Sequence, residues 1–290
     1  MIIQKNKNIS HYLTLRNNVI AELFFEAKSR EDLIAAKKYS LDNRLDIFIL
    51  GGGSNLAVLK SRMDGLVVKN SYVDLKVIDG NEKEVKMSVS SGFPISLLIA
   101  RSIQNGWSGF EYHQGLPGTV GGAVYMNSKW TKPLTYFGDN LVYAFLIDSK
   151  GREKKVGKSY FEFDYDHSIL QKTKEILLEG VFILKKDSKE EIMKRAKFAF
   201  DYRRKTQPYG IASSGCFFKN YQGRSAGYMI DKAGLKGFSV GNYFVSPIHA
   251  NFIINKGEGK REDLIELIHI IKNKVRDKFG VTLEEEVIII

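Results

Sequence analysis

The sequence predicts an α+β fold, and three observations carry that expectation. Strand-like apolar runs and helix-like periodic segments are mixed without a strict strand–helix alternation, which argues against a doubly wound parallel sheet. Two glycine-rich turns, at 51–56 and 115–127, interrupt the pattern. No internal repeat or low-complexity linker is visible, and the composition shifts toward helix and charge at Lys189, which is read as a domain boundary.

The elements follow in order. Ser29-Arg30-Glu31-Asp32 resembles a capping box and opens a helix over 31–39. Asp46-Ile47-Phe48-Ile49-Leu50 reads as a buried strand running into Gly51-Gly52-Gly53-Ser54-Asn55-Leu56. Strands are expected at 66–69 and 85–89, then a helix over 93–105 with Pro94 in its first turn and Gly106 just past its end. Further strands fall at 141–147 and 176–184. A helix over 189–204 carries Ile192, Ala196 and Ala199 at helical spacing. A later helix has Leu264, Ile268, Ile271, Val275 and Phe279 on one face and stops at Gly280. A strand over 286–290 closes the chain.

The 290 residues, 43% of them hydrophobic, suffice for two or three domains. No run reaches the ~18 apolar residues that span a bilayer, and the N-terminus has no signal-peptide character, so a cytoplasmic protein is expected. The single cysteine, Cys216, excludes an internal disulfide framework. A net charge of +11 fits steering of an anionic ligand. The basic residues are scattered rather than clustered with aromatics, which argues against a nucleic-acid module. The histidines have no metal-ligand spacing.

The stretch Gly115-Leu116-Pro117-Gly118-Thr119-Val120-Gly121-Gly122-Ala123-Val124-Tyr125-Met126-Asn127 places four glycines in its first eight residues. Glycine admits close backbone approach, and bare N–H groups in such a loop can face a pyrophosphate. With 51–56 it suggests a large nucleotide cofactor, although neither loop has P-loop or dinucleotide-fingerprint spacing and both could be tight turns between strands.

Six segments occur in order: GGGSNL at 51–56, GLPGTVGGAVYMN at 115–127, RRKTQP at 203–208, SGCFFKN at 214–220, SAGYMIDKAGLKG at 225–237 and HANFIIN at 249–255. Together they resemble UDP-N-acetylenolpyruvoylglucosamine reductase, or UDP-N-acetylmuramate dehydrogenase, in the short form lacking a tyrosine-bearing loop over the substrate. The resemblance implies a two-part FAD-binding region of the vanillyl-alcohol-oxidase/PCMH-like type, at 1–70 and 71–188. It implies a separate α+β substrate-binding domain at 189–290, whose C-terminal strand returns to the active site. It further implies FAD as cofactor, NADPH as co-substrate, a UDP-sugar substrate and a monomer, with no metal, nucleic acid or membrane partner. The implied reaction reduces the enolpyruvyl group of UDP-N-acetylglucosamine enolpyruvate to the lactyl ether of UDP-N-acetylmuramate, a step of peptidoglycan precursor synthesis.

By the same resemblance, Gly51, Gly52, Gly53, Ser54, Asn55, Leu56, Gly115, Pro117, Gly118, Thr119, Gly121, Gly122, Ala123 and Asn127 bind the cofactor. Tyr165, Arg203, Lys219 and Asn220 bind the substrate. Cys216 stands where the family has a proton-donating serine, and a thiol of pKa ~8.5 is a more acidic donor than a hydroxyl. Glu286 matches the family's C-terminal catalytic glutamate. His249 is read as a packing residue. The departure is Tyr165-Asp166-His167-Ser168, where the family pattern puts arginine at 166. Aspartate reverses the charge where an enolate develops. On an extended strand His167 would point to the opposite face, and Asp166→Arg is expected to restore the missing cation. Two alternatives stay open: a different FAD oxidoreductase on the same fold, and a flavin-binding homologue whose turnover is reduced or lost through Asp166.

Overall fold

Local capping and apolar periodicity place most elements where the sequence predicts them. The computed structural model describes residues 1–290. Strands β1 (Gln4–Asn8) and β2 (Ile20–Ala27) precede helix α1 (Arg30–Asp42), then β3 (Ile47–Leu50), β4 (Leu56–Ala57), β5 (Arg62–Asn70), β6 (Leu75–Gly80) and β7 (Glu84–Ser90). Helix α2 (Ile95–Asn105) is followed by β8 (Trp107–Ser108), α3 (Val120–Met126), β9 (Lys129–Thr131), β10 (Leu134–Tyr136), β11 (Leu141–Ile147) and β12 (Glu153–Gly157). Then come α4 (Leu170–Thr173), β13 (Ile176–Lys186), α5 (Lys189–Thr206), β14 (Ser213–Cys216) and α6 (Ala226–Lys232). The chain closes with β15 (Ser239–Val240), β16 (Tyr243–Val245), β17 (Phe252–Asn255), α7 (Arg261–Phe279) and β18 (Ile288–Ile289). No helix is long and apolar enough to cross a membrane.

The chain forms two compact units, one of 1–5, 23–52 and 65–203, the other of 6–22, 53–64 and 204–290. In the first, β3 and β5 pair in parallel within a four-stranded sheet ordered β1-β2-β5-β3. Leu66, Val67 and Val68 of β5 are fully buried in succession, the continuous apolar run of a strand covered on both faces. The capping box predicted for α1 is present: Asp32 N–H donates to Ser29 Oγ at 3.1 Å, and Ser29 N–H donates to the Asp32 carboxylate at 3.2 Å. A larger antiparallel sheet runs β12-β11-β13-β7-β6, with β8 on β13. Its core holds Phe110, Phe137 and Phe182, whose rings lie 4.7–5.9 Å apart between centroids in stacked and edge-on pairs. Pro94 is the N-cap of α2 rather than part of its first turn, and Gly106 ends the helix at φ 69°.

The second unit packs α6 and α7 against the antiparallel sheet β14-β17-β16-β15. Of the predicted stripe of α7, Leu264, Ile268, Ile271 and Val275 are buried and Phe279 is partly buried; Leu267 joins them, and Gly280 stops the helix at φ 66°. Tyr243 is fully enclosed, with its hydroxyl accepting from Asn17 Nδ2 at 3.0 Å; burial pushes it up to about 12. The closing strand is shorter than predicted. Lys219 N–H donates to Glu284 O at 2.8 Å and Glu286 N–H to Phe217 O at 2.9 Å, so 284–287 cross the end of β14 before β18 pairs in parallel with β4. The mixture of parallel and antiparallel sheets with interspersed helices bears out the α+β class.

Candidate functional site

In the first unit the two glycine-rich loops meet. A Cβ on Gly51 would lie 2.7 Å from Thr119 Oγ1, and one on Gly52 would lie 2.5 Å from Gly118 Cα. No side chain fits between the loops, so their backbones form one surface. Lys69, at the end of β5, donates to Gly51 O at 2.5 Å. Burial holds its pKa below the usual lysine value, with Glu26 opposing that shift. On the other side, Ile95 N–H donates to Gly118 O at 3.1 Å, Val120 N–H to Phe93 O at 2.9 Å and Gly121 N–H to Ser91 O at 2.7 Å. The loop and turn hydrogen bonds leave out the amides of Gly52, Gly118 and Thr119.

The glycines divide by what they approach. A Cβ on Gly121 would meet Ser91 O at 2.9 Å, and one on Gly53, at φ 63°, would meet Tyr12 O at 2.0 Å. Both therefore serve chain packing. Gly122 is exposed, and its Cβ would meet only Thr119 Oγ1, at 3.8 Å. The segment 120–126 is helix α3, capped by Thr119. Ala123 is buried on its inner side, while Pro117 is exposed. Asn127 ends α3 at φ 45°; its side chain donates to Asp164 O at 3.1 Å and accepts from Gly138 N–H at 3.2 Å.

Arg203 lies beside this loop. A Cβ on Gly115 would come within 3.1 Å of Arg203 Cδ, and the guanidinium sits 5.2 Å from the Trp130 ring centroid. Helix α5 is held in register by Arg195, which bonds Glu111 at 2.8 Å and Asp187 at 2.7 Å. His113 is buried next to this charge, and desolvation, then Arg203, push it down to about 3.

Segment 164–167 corrects the strand expectation. Asp164 and His167 exchange both backbone hydrogen bonds at 3.2 Å, so Tyr165 and Asp166 are the centre of a two-residue turn. Asp166 takes φ 49°, a left-handed conformation that aspartate tolerates better than most side chains. Its carboxylate is 6% exposed and pairs with Lys129 Nζ at 2.6 Å. That ammonium also lies 3.4 Å from the Tyr165 ring centroid. His167 faces Glu162 O through Nδ1 at 3.3 Å. The turn is fixed to α3 through Asn127, through Ser168 Oγ donating to Tyr125 O at 2.7 Å, and through Gln171 Nε2 donating to Asp166 O at 2.9 Å. Asp166→Arg would thus set a second cation against Lys129 in a strained backbone, which withdraws the expectation of a simple rescue.

In the second unit Cys216 and Glu286 come together. Cys216 ends β14 and is partly exposed, Phe217 O accepts Glu286 N–H at 2.9 Å, and Phe218 bridges Glu285. Among the three adjacent acids, Glu285 is paired with Lys272 at 2.7 Å, Glu284 is exposed, and Glu286 is half-buried. Asn55 reaches the same strand, with Nδ2 donating to Glu286 O at 3.4 Å and O accepting Ile288 N–H at 3.0 Å; Leu56 pairs with Ile288, and Ser54 precedes them, half-buried. Lys219 is partly buried, and Asn220 Oδ1 accepts Ala226 N–H at 3.0 Å at the start of α6. His249 packs on Phe252 and its Nδ1 accepts Asn251 N–H at 3.3 Å; burial lowers its pKa, as a packing histidine requires.

Two lysines beside the candidate site residues were not foreseen from the sequence. Lys69 carries a weak signal, a charge at the end of an apolar strand; Lys129, one lysine among many, carries none.

Comparison with known proteins identifies the family. Residues 21–157 match an FAD binding domain family, and residues 207–290 match the UDP-N-acetylenolpyruvoylglucosamine reductase C-terminal domain. The reductase of Chlamydia trachomatis serovar D is 37% identical over 99% of this chain and 96% of its own length. That of Protochlamydia amoebophila is 35% identical over 92% of this chain and 87% of its own. The crystal structure of the Thermus caldophilus reductase superposes with a TM-score of 0.84 at 30% identity, covering 100% of this chain and 99% of that one. The chain belongs to the UDP-N-acetylenolpyruvoylglucosamine reductase family.

Proposed function

We propose that this chain is an FAD-dependent, NADPH-oxidising reductase that converts UDP-N-acetylglucosamine enolpyruvate to UDP-N-acetylmuramate for peptidoglycan synthesis, in the cytoplasm. The observation that carries the reading is that partly exposed Cys216 directly precedes Phe217, whose carbonyl accepts Glu286 N–H at 2.9 Å, in a chain of this family. The functional division is 1–70 and 71–188 for the flavin and 189–290 for the substrate.

The flavin fits the residues present. Neither Gly51 nor Gly52 has room for a Cβ against Thr119 and Gly118, and amides of Gly52, Gly118 and Thr119 are left out of the loop hydrogen bonds, as a pyrophosphate cradle requires. Lys69 fixes one lip of that cradle through Gly51 O. Bound FAD supplies hydride transfer, accepting from NADPH and delivering to the enolpyruvyl double bond.

The chain's own residues manage charge and protons. Hydride addition leaves a carbanion beside the substrate carboxylate, delocalised as an enolate. Cys216 Sγ–H gives its proton to that carbon, and the thiolate regains one from solvent. A thiol pKa of ~8.5 keeps the donor protonated at neutral pH. Glu286 holds and polarises the carboxylate end. Arg203 and Lys219 bind anionic groups of the sugar nucleotide, and Tyr165 and Asn220 contribute further substrate contacts.

Purified flavoprotein should oxidise NADPH only when the enolpyruvyl sugar nucleotide is present, with UDP-N-acetylmuramate as the product by mass spectrometry. NADPH oxidation indifferent to that substrate would sink the reading.

A further inference from the structure

Just beyond Cys216 the strand that carries it exchanges a main-chain partner for a side chain. β14 pairs with β17 at Ser213 with Ile254 and at Cys216 with Phe252, with a register shift between them where Gly215 takes φ 82°. An extra residue in one strand means that the ladder before it does not alone fix the register after it. A slip by one residue would turn the thiol to the opposite face. Phe217 N–H donates to Asn251 O at 2.7 Å. At the next residue Asn251 Oδ1 accepts Phe218 N–H at 2.9 Å, and Asn251 Nδ2 donates to Phe218 O at 2.8 Å. The amide does there what a peptide group of a partner strand would do. Asn251 is 3% exposed and Phe218 0%, so water does not replace these bonds. Asn251 is itself held: its N–H donates to His249 Nδ1 at 3.3 Å, and a Cβ on Gly227 of α6 would lie 3.5 Å from its Cβ. On the other edge, Phe217 O accepts Glu286 N–H at 2.9 Å and Lys219 N–H donates to Glu284 O at 2.8 Å. Segment 217–219 is therefore gripped between Asn251 and 284–287, all within the second unit.

We propose that Asn251 is a positioning residue for Cys216: its side-chain amide pins the register of the strand that carries the thiol against 284–287. This rests on the reductase reading, in which Cys216 gives the proton. Asn251 acts through the backbone of Phe217 and Phe218 and takes no part in the transfer itself. The chemical demand is specific. One acceptor and one donor must stand side by side to meet the N–H and C=O of a single residue, and a primary amide supplies both. Alanine leaves a buried donor and a buried acceptor unpaired. A carboxylate keeps the acceptor but sets a second oxygen against Phe218 O. Either change frees the strand on one edge while 284–287 still hold the other, so the thiol shifts relative to Glu286. The glycine loops, in the other unit, keep their own bonds. Proton transfer feels such a shift, because a general acid must stand within hydrogen-bond reach of the atom it protonates.

The test uses the flavin-loaded protein, reduced with NADPH and then mixed with UDP-N-acetylglucosamine enolpyruvate, with flavin absorbance followed by stopped flow. Asn251→Ala should bind flavin, be reduced by NADPH at the parent's rate, and be reoxidised about 10²-fold more slowly at saturating substrate, the scale of a misplacement of about 1 Å. Asn251→Asp should show the same selective loss. The decisive comparison is made in a Cys216→Ala background, where no thiol remains to be positioned. There Asn251→Ala should leave the residual reoxidation rate nearly unchanged, while it lowers the melting temperature as much as it does in the parent. Reoxidation of Asn251→Ala at the parent's rate overturns the proposal. So does an equal fall in both half-reactions, or the same fold-loss with and without the thiol. If Asn251→Ala does not fold, Asn251→Asp is read in its place in both backgrounds, and the same three results overturn the proposal. Parent-like reoxidation in Cys216→Ala alone removes the thiol as donor and the proposal with it. A parent protein that shows no substrate-dependent reoxidation defeats the reductase reading itself, a result distinct from all of these.

Discussion

The glycine cradle at 51–52 and 118–119 and the turn at 164–167 lie in the same unit and are built by opposite means. The cradle is backbone against backbone, and its geometry depends on what is missing: a Cβ on Gly52 would sit 2.5 Å from Gly118 Cα. The turn is built from side chains, with a carboxylate, an ammonium and a ring assembled from two distant segments. A backbone site leaves a direct trace in sequence, because only glycine permits it. A side-chain cluster leaves no such trace, because its members come from distant segments. The comparison therefore predicts that damage to the cradle removes the cofactor, whereas damage to the catalytic side chains leaves the cofactor bound and slows one half-reaction.

The largest effect should come from the cradle. Gly52→Ala forces one loop off the other, and overpacking of this kind costs about 2 kcal/mol. The variant should melt several degrees lower and purify without flavin; a yellow protein with the parent's melting temperature would contradict the packing. Cys216→Ala should keep its flavin and its NADPH rate and lose at least ~10² in reoxidation by substrate, the usual scale of general acid catalysis. Cys216→Ser should regain much of that loss, and parent-like rates in Cys216→Ala would return the thiol to a packing role. Lys69→Met deletes the charge-assisted bond to Gly51 O, worth about 1.5 kcal/mol, so flavin should dissociate roughly tenfold more readily. An unchanged flavin affinity by titration would show that the lip holds without it.

These predictions follow what could and could not be read along the chain. Helices α1, α2, α5 and α7 were legible because caps and apolar spacing are local signals; Ser29, Gly106 and Gly280 mark ends that backbone geometry enforces. Helix α3 was not, because Gly121 and Gly122 lower the helix propensity of a segment whose tertiary bonds to Ser91 and Phe93 hold it. The Asp164–His167 turn was mistaken for a strand because its stabilising partners, Asn127 and Gln171, belong to other segments. Cys216 and Glu286 were legible as candidates only through motif order, and their adjacency arises from the crossing of 284–287 over β14. Lys129 was invisible, since an ion pair across 37 residues has no local pattern.

A separate effect concerns stability against pH. His113 titrates at about 3 in the folded chain, below its ordinary value of 6.5, chiefly through burial. The unfolded chain therefore binds a proton that the folded chain refuses. The resulting stability is complete above pH 6.5 and is lost as pH falls toward 3, by up to about 1.4 kcal/mol per unit. His113→Leu should flatten the denaturation midpoint across that window; an equally steep loss in the variant would assign the acid sensitivity to other groups.

The contrast between backbone and side-chain sites is tested most directly at Gly122, beside the cradle, where a side chain meets only Thr119 Oγ1 at 3.8 Å. Flavin stoichiometry and a thermal melt should be measured together on Gly122→Val. The account predicts a melt no lower than that of the flavin-free parent, with little or no bound flavin, because the added side chain obstructs the cofactor and not the fold. A full complement of flavin in that variant would contradict the placement of the dinucleotide on these loops.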